Sequence, residues 1–303
     1  MKKTFSLTED ELKAFRENGF HGPFDVYDPE EMTANYKQLR AEIFDRKHAI
    51  YDLEHTSLLA GYDRHLDIDF FSRHIMQRRI LDKVESVLGP DLLCWRSEMF
   101  PKYPGDEGTD WHQADTFGHA SGNPQVVWPD ADFGGALTVW TAVTDSDLDN
   151  GCLRFIPGTH EEMFYDETKE MKYSPEQINQ LEKNGQKQGF FGYDYRNLQK
   201  DPDWVPDDSK AVSMVMKPGQ SVMFWSTLMH ASYANTTKNR TRLGFTARYV
   251  PSSVRIYPGT DSIQEYGSTL SLDKYGVVVV SGEDKFRHNK VLTQNARGTA
   301  FAA

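Results

Sequence analysis

Two histidines and one arginine carry the chemistry that this sequence can do. His112 lies in Thr109-Asp110-Trp111-His112-Gln113-Ala114-Asp115-Thr116-Phe117, and His230 closes the run Phe224-Trp225-Ser226-Thr227-Leu228-Met229 after a Pro-Gly turn. Taken singly, either is more often a satisfied core histidine than a ligand. Their order changes the weighing. A histidine in an early strand, a second over a hundred residues later and Arg242 twelve residues beyond it describe an iron(II) site. In such a site 2-oxoglutarate chelates the metal, O2 is the co-substrate, and the arginine anchors the distal carboxylate. The bland alternative makes Arg242 a surface arginine. His48, His55, His65, His74 and His288 sit among charged residues and are expected as surface or helix-packing groups.

In ordinary sites of this kind an Asp or Glu two places after the first histidine completes a facial triad. Here that place is Ala114. Strand alternation puts His112 and Ala114 on one face and Gln113 and Asp115 on the other, so Asp115 cannot stand in. Either the site is dead, or something else fills the vacant coordination position. Chloride is an apt substitute, because it restores the lost negative charge and fits the space left by a carboxylate.

These residues need strands to hold them. Leu92–Tyr103, Gly134–Thr144, Cys152–Pro157, Ala211–Met216, Ser221–Trp225 and Arg242–Val250 read as strands, punctuated by Asp149-Asn150-Gly151 and Lys217-Pro218-Gly219-Gln220. Ahead of them, Thr8-Glu9-Asp10-Glu11 has capping-box spacing for a helix closing near Gly19, Asp28-Pro29 opens a second, and a third spans about Phe70 to Leu88. The stretch Asp166–Asp208, with Gly189-Phe190-Phe191-Gly192-Tyr193, is too long for a simple connector and reads as a lid or inserted helix. Helices first and antiparallel strands after predict an α+β fold, a β-sandwich or jelly-roll barrel braced by helices.

The chain has 303 residues, enough for a substantial core, and its formal charge of -11 argues against nucleic acid as the main partner. The same charge disfavours anionic membranes, and no apolar run approaches the length of a span. Cys94 and Cys152 stand apart without CxxC spacing, which makes a structural zinc or disulfide framework improbable. With no apolar signal core after Met1, the expected setting is the cytoplasm.

The sequence resembles the carrier-protein-dependent aliphatic halogenases of nonribosomal peptide (antibiotic) pathways, within the phytanoyl-CoA dioxygenase-like superfamily, and most of all their threonyl members of the syringomycin type. The likeness rests on His112-Gln113-Ala114-Asp115-Thr116-Phe117, Asn150-Gly151-Cys152-Leu153-Arg154-Phe155-Ile156-Pro157-Gly158-Thr159, Gly189 to Arg196, Ser213 to Gly219, Phe224 to Ser232 and Arg248 to Ser252. It runs from about Glu98 to Gly298. His-x-Ala is the specific element; Asn-Gly-Cys-Leu and Ile-Pro-Gly-Thr-His are general to the superfamily.

The resemblance implies one domain over residues 1–303 with a double-stranded β-helix (jelly-roll, cupin-like) core, residues 1–90 mainly helical, and a lid insertion at about 162–208. It implies His112 and His230 as iron ligands and Ala114 as the chloride site. Arg242, helped by Thr109 and Trp140, would hold 2-oxoglutarate. Phe117, Thr138, Ser226 and Arg248, with Glu98 close by, would line the halide pocket. For Thr138, Ser226 and Glu98 a purely structural hydrogen bond weighs about equally, and Trp140 and Phe117 could be plain core. His119 departs from the threonyl type, which has an asparagine near the chloride's water network. The implied partner is an aminoacyl-loaded peptidyl carrier protein with its phosphopantetheine arm, with Arg78-Arg79 and Lys285-Phe286-Arg287-His288 as candidate docking stretches. The rivals are a hydroxylase with a non-standard metal site and an inert dioxygenase fold that binds a carrier without turnover.

Overall fold

A computed structural model describes residues 4–301 except 46, 54–57, 131–133, 179–180, 184–185 and 189, so that His55 and Gly189 lie outside the described residues. The helices are α1 (Glu9–Asn18), α2 (Pro29–Phe44), α3 (Asp69–His74) and α4 (Arg78–Leu88). The strands that build the core are β1 (Phe20–Asp25), β2 (Leu92–Lys102), β3 (Thr109–His112), β4 (Leu137–Ala142), β5 (Leu153–Phe155), β6 (Val212–Met214), β7 (Gln220–Trp225), β8 (His230–Ser232), β9 (Arg242–Pro251), β10 (Ser262–Glu265), β11 (Ser268–Ser271) and β12 (Val278–Ser281).

Local chemistry starts and stops the first helix as its sequence predicts. The Thr8 hydroxyl accepts from the Glu11 amide while the Glu11 carboxylate accepts from the Thr8 amide, and Gly19 ends the helix at φ 83°. The third predicted helix is broken into α3 and α4, with residues 75–77 between them in turns. β1 was not expected. It interrupts the helical N-terminal part and pairs antiparallel with β7, shifting register between His21 and Phe24. Pro23 can sit there because β1 is an edge strand, where one missing amide donor is tolerated.

The core is a double-stranded β-helix. A six-stranded antiparallel sheet runs in the order β1-β7-β4-β9-β2-β12, and a four-stranded sheet runs β3-β8-β5-β6. β9 shows how two-residue alternation divides its sides. Arg242, Thr246 and Arg248 face a cavity, whereas Phe245 stacks on Phe71 of α3 at 4.2 Å and the Tyr249 hydroxyl donates to the Ile75 carbonyl. Gly244 keeps the parity of the cavity side, and a Cβ there would overlap the Trp140 indole. The helices thus cover the outer face of the large sheet, and the site lies on its inner face.

Burial corrects part of the histidine reading. His48, His65 and His74 are interior groups, bonded to the Tyr62 carbonyl, the Ser97 hydroxyl, and the Tyr27 and Thr141 hydroxyls respectively. His288 is exposed as expected. Among the described residues no helix is long and apolar enough to cross a membrane.

Candidate active site

β3 and β8 pair so that His112 and His230 are direct cross-strand partners, with ring centroids 4.0 Å apart. The Nδ1 of His112 lies 2.8 Å from the Asp110 carbonyl and that of His230 lies 2.7 Å from the Leu228 carbonyl. A carbonyl can only accept, so each Nδ1 carries the proton and each Nε2 keeps its lone pair. Burial, then the neighbouring His230, holds the His112 pKa well below the ordinary value, and burial brings His230 down to about 4. Both imidazoles are neutral bases, the state a metal ligand requires.

Ala114 follows β3 on the same side as His112. Its amide donates to the Ser226 carbonyl at 2.9 Å, and its methyl group faces the cavity. The alternation predicted for its neighbours holds. Gln113 points the other way and donates to the carbonyls of Thr159, Glu162 and Thr227. Asp115 accepts from the Trp128 indole at 2.8 Å. Among the described residues no cluster of three His, Cys, Asp or Glu side chains could hold a metal. The donor set is therefore two neutral nitrogens with an open side, which suits iron(II) completed by non-protein ligands.

The twelve residues singled out in the sequence all line one cavity, with an empty volume of about 900 Å³. On its Arg242 side, the guanidinium Nε donates to the Gly151 carbonyl at 3.1 Å and Nη1 to the Phe100 carbonyl at 2.9 Å. It lies over the Trp140 ring at 5.4 Å, and Thr109 shares this end. Arg242 is 3% exposed and has no carboxylate partner among the described residues, which rules out the surface reading.

The opposite wall is charged but balanced. Arg248 pairs with Glu98 at 2.7 Å and lies over the Phe117 ring at 5.1 Å, while its Nε has no acceptor among the described residues. Phe117 holds φ 57°, a left-handed conformation that side chains seldom adopt and that concentrates at functional sites. Ser226 Oγ accepts from the Ala136 amide, so it has a structural bond as well as a place on the wall. Thr138 is buried beside it, directly across from Arg248 in the β4–β9 register. His119 is 6% exposed with Nδ1 unpartnered.

The segment 166–208 packs over the site without forming a long helix; its helical content is a four-residue turn, Pro175–Ile178, and short 3-10 turns. Phe190 stands 4.4 Å from the His112 ring, and Phe191 also reaches the cavity. The Tyr195 hydroxyl donates to the Gln113 carbonyl, and the Glu167 carboxylate accepts from Asp115 and Thr116. The segment is thus tied to the residues that directly follow His112.

Sequence reasoning missed several cavity residues. Arg96 bonds Gln125, pairs with Glu265 at 3.5 Å and lies over the Tyr62 ring at 4.6 Å. Lys102 ends β2 beside Arg242. No spacing rule ties Glu265, on β10, to Arg96; the only local signal was polar side chains at alternate positions of β2.

Fold and site together place the protein among the Fe(II)/2-oxoglutarate-dependent oxygenases. The chain belongs to the phytanoyl-CoA dioxygenase family, whose profile matches residues 15–244. It is similar to the solved structure of CytC3 with Fe(II) and alpha-ketoglutarate, at 41% identity over 98% of each chain and a TM-score of 0.76. A second CytC3 structure is 42% identical over 98% of this chain and 97% of that one, at 0.76. The non-heme monooxygenase ThoJ in its apo form shares the fold at 21% identity, covering 96% of this chain and 89% of its own, with a TM-score of 0.64. No curated protein matches the sequence.

Proposed function

We propose that this protein is a halogenase that uses iron(II), 2-oxoglutarate, O2 and chloride to chlorinate an unactivated aliphatic carbon of an aminoacyl group on a peptidyl carrier protein. The observation that carries the reading is Ala114: a methyl group occupies the cavity position beside His112, and the nearest following acid, Asp115, is held by Trp128.

His112 and His230 would hold the metal through Nε2, and Arg242 with Thr109 would bind the distal carboxylate of 2-oxoglutarate. The metal so held would supply the oxidising power to break an unactivated C–H bond, and a chloride in the Ala114 position would be the source of the new substituent. Ala114 keeps that position free of any competing carboxylate. Arg248, with an unused Nε and a neutralising Glu98, gives the same wall a donor without a large net charge. Phe190 and Phe191 line the cavity with apolar rings that would exclude water from the reacting groups. A substrate tethered by a phosphopantetheine arm would be held at a fixed depth, so that position decides which group reaches the carbon.

The experiment is intact-protein mass spectrometry of aminoacyl carrier proteins, loaded in turn with threonine, valine, leucine, isoleucine or 2-aminobutyrate, after anaerobic reconstitution and exposure to O2 with chloride. A chlorinated aminoacyl product on one carrier, much reduced for the free amino acid, is expected. A hydroxylated product at saturating chloride would assign a hydroxylase instead. Iron and 2-oxoglutarate binding with no product on any carrier would assign an inert fold.

A further inference from the structure

Four basic side chains are buried to 5% exposure or less among the described residues: Arg64, Arg96, Lys102 and Arg242. Arg64 pairs with Asp67, and Arg96 with Glu98 and Glu265. Lys102 and Arg242 make no ion pair there, and they are direct cross-strand partners in the β2–β9 register. Both line the same end of the cavity. Two like charges directly opposite one another in a sheet repel, and burying cations without a counter-ion is costly. Asp106 and Glu107 offset only part of this cost, and burial with the neighbouring Arg242 still holds the Lys102 ammonium well below its usual pKa; an anion in the cavity would stabilise both charges.

The bonding of each cation points the same way. The Lys102 ammonium spends its donors on the Glu107 carbonyl at 2.6 Å, the Ser232 hydroxyl at 3.0 Å and the Tyr233 carbonyl at 3.0 Å. Those contacts fix it at the junction of β2, β3 and β8, and none of the three acceptors is a carboxylate. Arg242 uses Nε and Nη1 on backbone carbonyls, so neither bond brings it a negative charge. Gly151 completes the packing, since a Cβ there would lie 2.5 Å from the Lys102 Cδ.

We infer that Lys102 is a positioning residue for the keto-acid cofactor: its positive charge, added to that of Arg242, makes this end of the cavity select a dianion over a monoanion. The inference rests on the 2-oxoglutarate reading above and extends it to a residue that does not touch the ligand. Arg242 makes the bonds, and Lys102 raises the potential in which they form. Discrimination falls on the distal carboxylate, because that is the group at this end.

The test uses the iron(II)-loaded protein without O2 and measures binding by calorimetry, with 2-oxoglutarate and 2-oxobutyrate as ligands. The second ligand keeps the keto-acid head and lacks the distal carboxylate. Wild type is expected to prefer 2-oxoglutarate. Lys102→Gln, which keeps hydrogen-bond donors and loses the charge, should lower 2-oxoglutarate affinity at least tenfold, since at an effective dielectric near 20 a unit charge has about that effect even ~12 Å away. Its 2-oxobutyrate affinity should stay at the wild-type level, and Lys102→Arg should restore the preference. Equal loss for both acids, or no loss for either, would overturn the inference. So would loss of fold in both Lys102→Gln and Lys102→Met, which would make the lysine a strut of the strand junction. Wild-type protein that binds neither acid would instead sink the cofactor reading on which the inference stands.

Discussion

The Trp128 indole nitrogen donates to the Asp115 carboxylate at 2.8 Å, on the side of the chain opposite His112 and Ala114. The first acid after His112 in the sequence is thereby committed elsewhere. Ala114→Asp should end chlorination, because the new carboxylate would share the face of His112 and occupy the open metal position with the same unit charge as chloride. Iron and 2-oxoglutarate binding should persist, since His112, His230 and Arg242 are untouched. Chloride-dependent product mass with both proteins side by side decides it. Wild-type chlorination by the variant would remove the main support for a halogenase.

The paired histidines make a second case. His112→Ala and His230→Ala should each abolish iron binding, as one remaining imidazole cannot hold the metal in an open geometry. The visible charge-transfer band of the anaerobic iron(II)–2-oxoglutarate complex is the readout. A band of full intensity in either variant would take that histidine out of the site.

Arg242→Ala should raise the 2-oxoglutarate requirement steeply while iron binding stays near normal. Losing the charged partner of a buried carboxylate costs on the order of 3–5 kcal/mol. Arg240 offers an internal control: it is exposed and pairs with Asp147 and Asp149. Arg240→Ala should bind 2-oxoglutarate as wild type does, and the reverse result in a titration would exchange the two assignments.

His74 predicts an acid-sensitive fold. It is buried between the Tyr27 and Thr141 hydroxyls, at 3.0 and 3.1 Å, with no charged partner among the described residues, and burial brings its pKa from 6.5 to about 3. Below pH 6.5 the unfolded chain takes up a proton that the folded state refuses. The stability this group contributes is thus intact above pH 6.5 and is lost as pH falls toward 3, by at most about 1.4 kcal/mol per unit. Urea midpoints at pH 7 and pH 5 should differ less in His74→Gln than in wild type. Equal differences would show that the acid sensitivity arises elsewhere.

The sequence was most legible where chemistry imposes local pattern. His112, Ala114, His230 and Arg242 announce themselves by type and spacing, and strand parity placed Thr138 with Trp140 and Arg242 with Arg248 on the cavity side. The Thr8–Glu11 box is equally local. What escaped depends on distant partners. Whether Arg96 is neutralised is decided by Glu265, far along the chain. β1 was hidden because Gly22-Pro23 sits inside it and its pairing is set by β7. The split between α3 and α4 was hidden by an apolar pattern that continues through Ile75 and Met76.

The pairing of β1 with β7 also sets a timetable for biosynthesis. The first strand of the large sheet emerges from the ribosome early, yet its neighbour, Gln220–Trp225, is nearly two hundred residues away. At typical synthesis rates of about 5–20 residues per second, Phe20–Asp25 waits roughly 10–40 s for a partner. β3, with one of the two histidines, waits for the other in the same way. Neither the full sheet nor the His112–His230 pair can form on a nascent chain that stops short of His230. Slower translation lengthens the interval in which the apolar face of β1 is open to other chains, so soluble yield should depend on temperature and chaperone supply during expression.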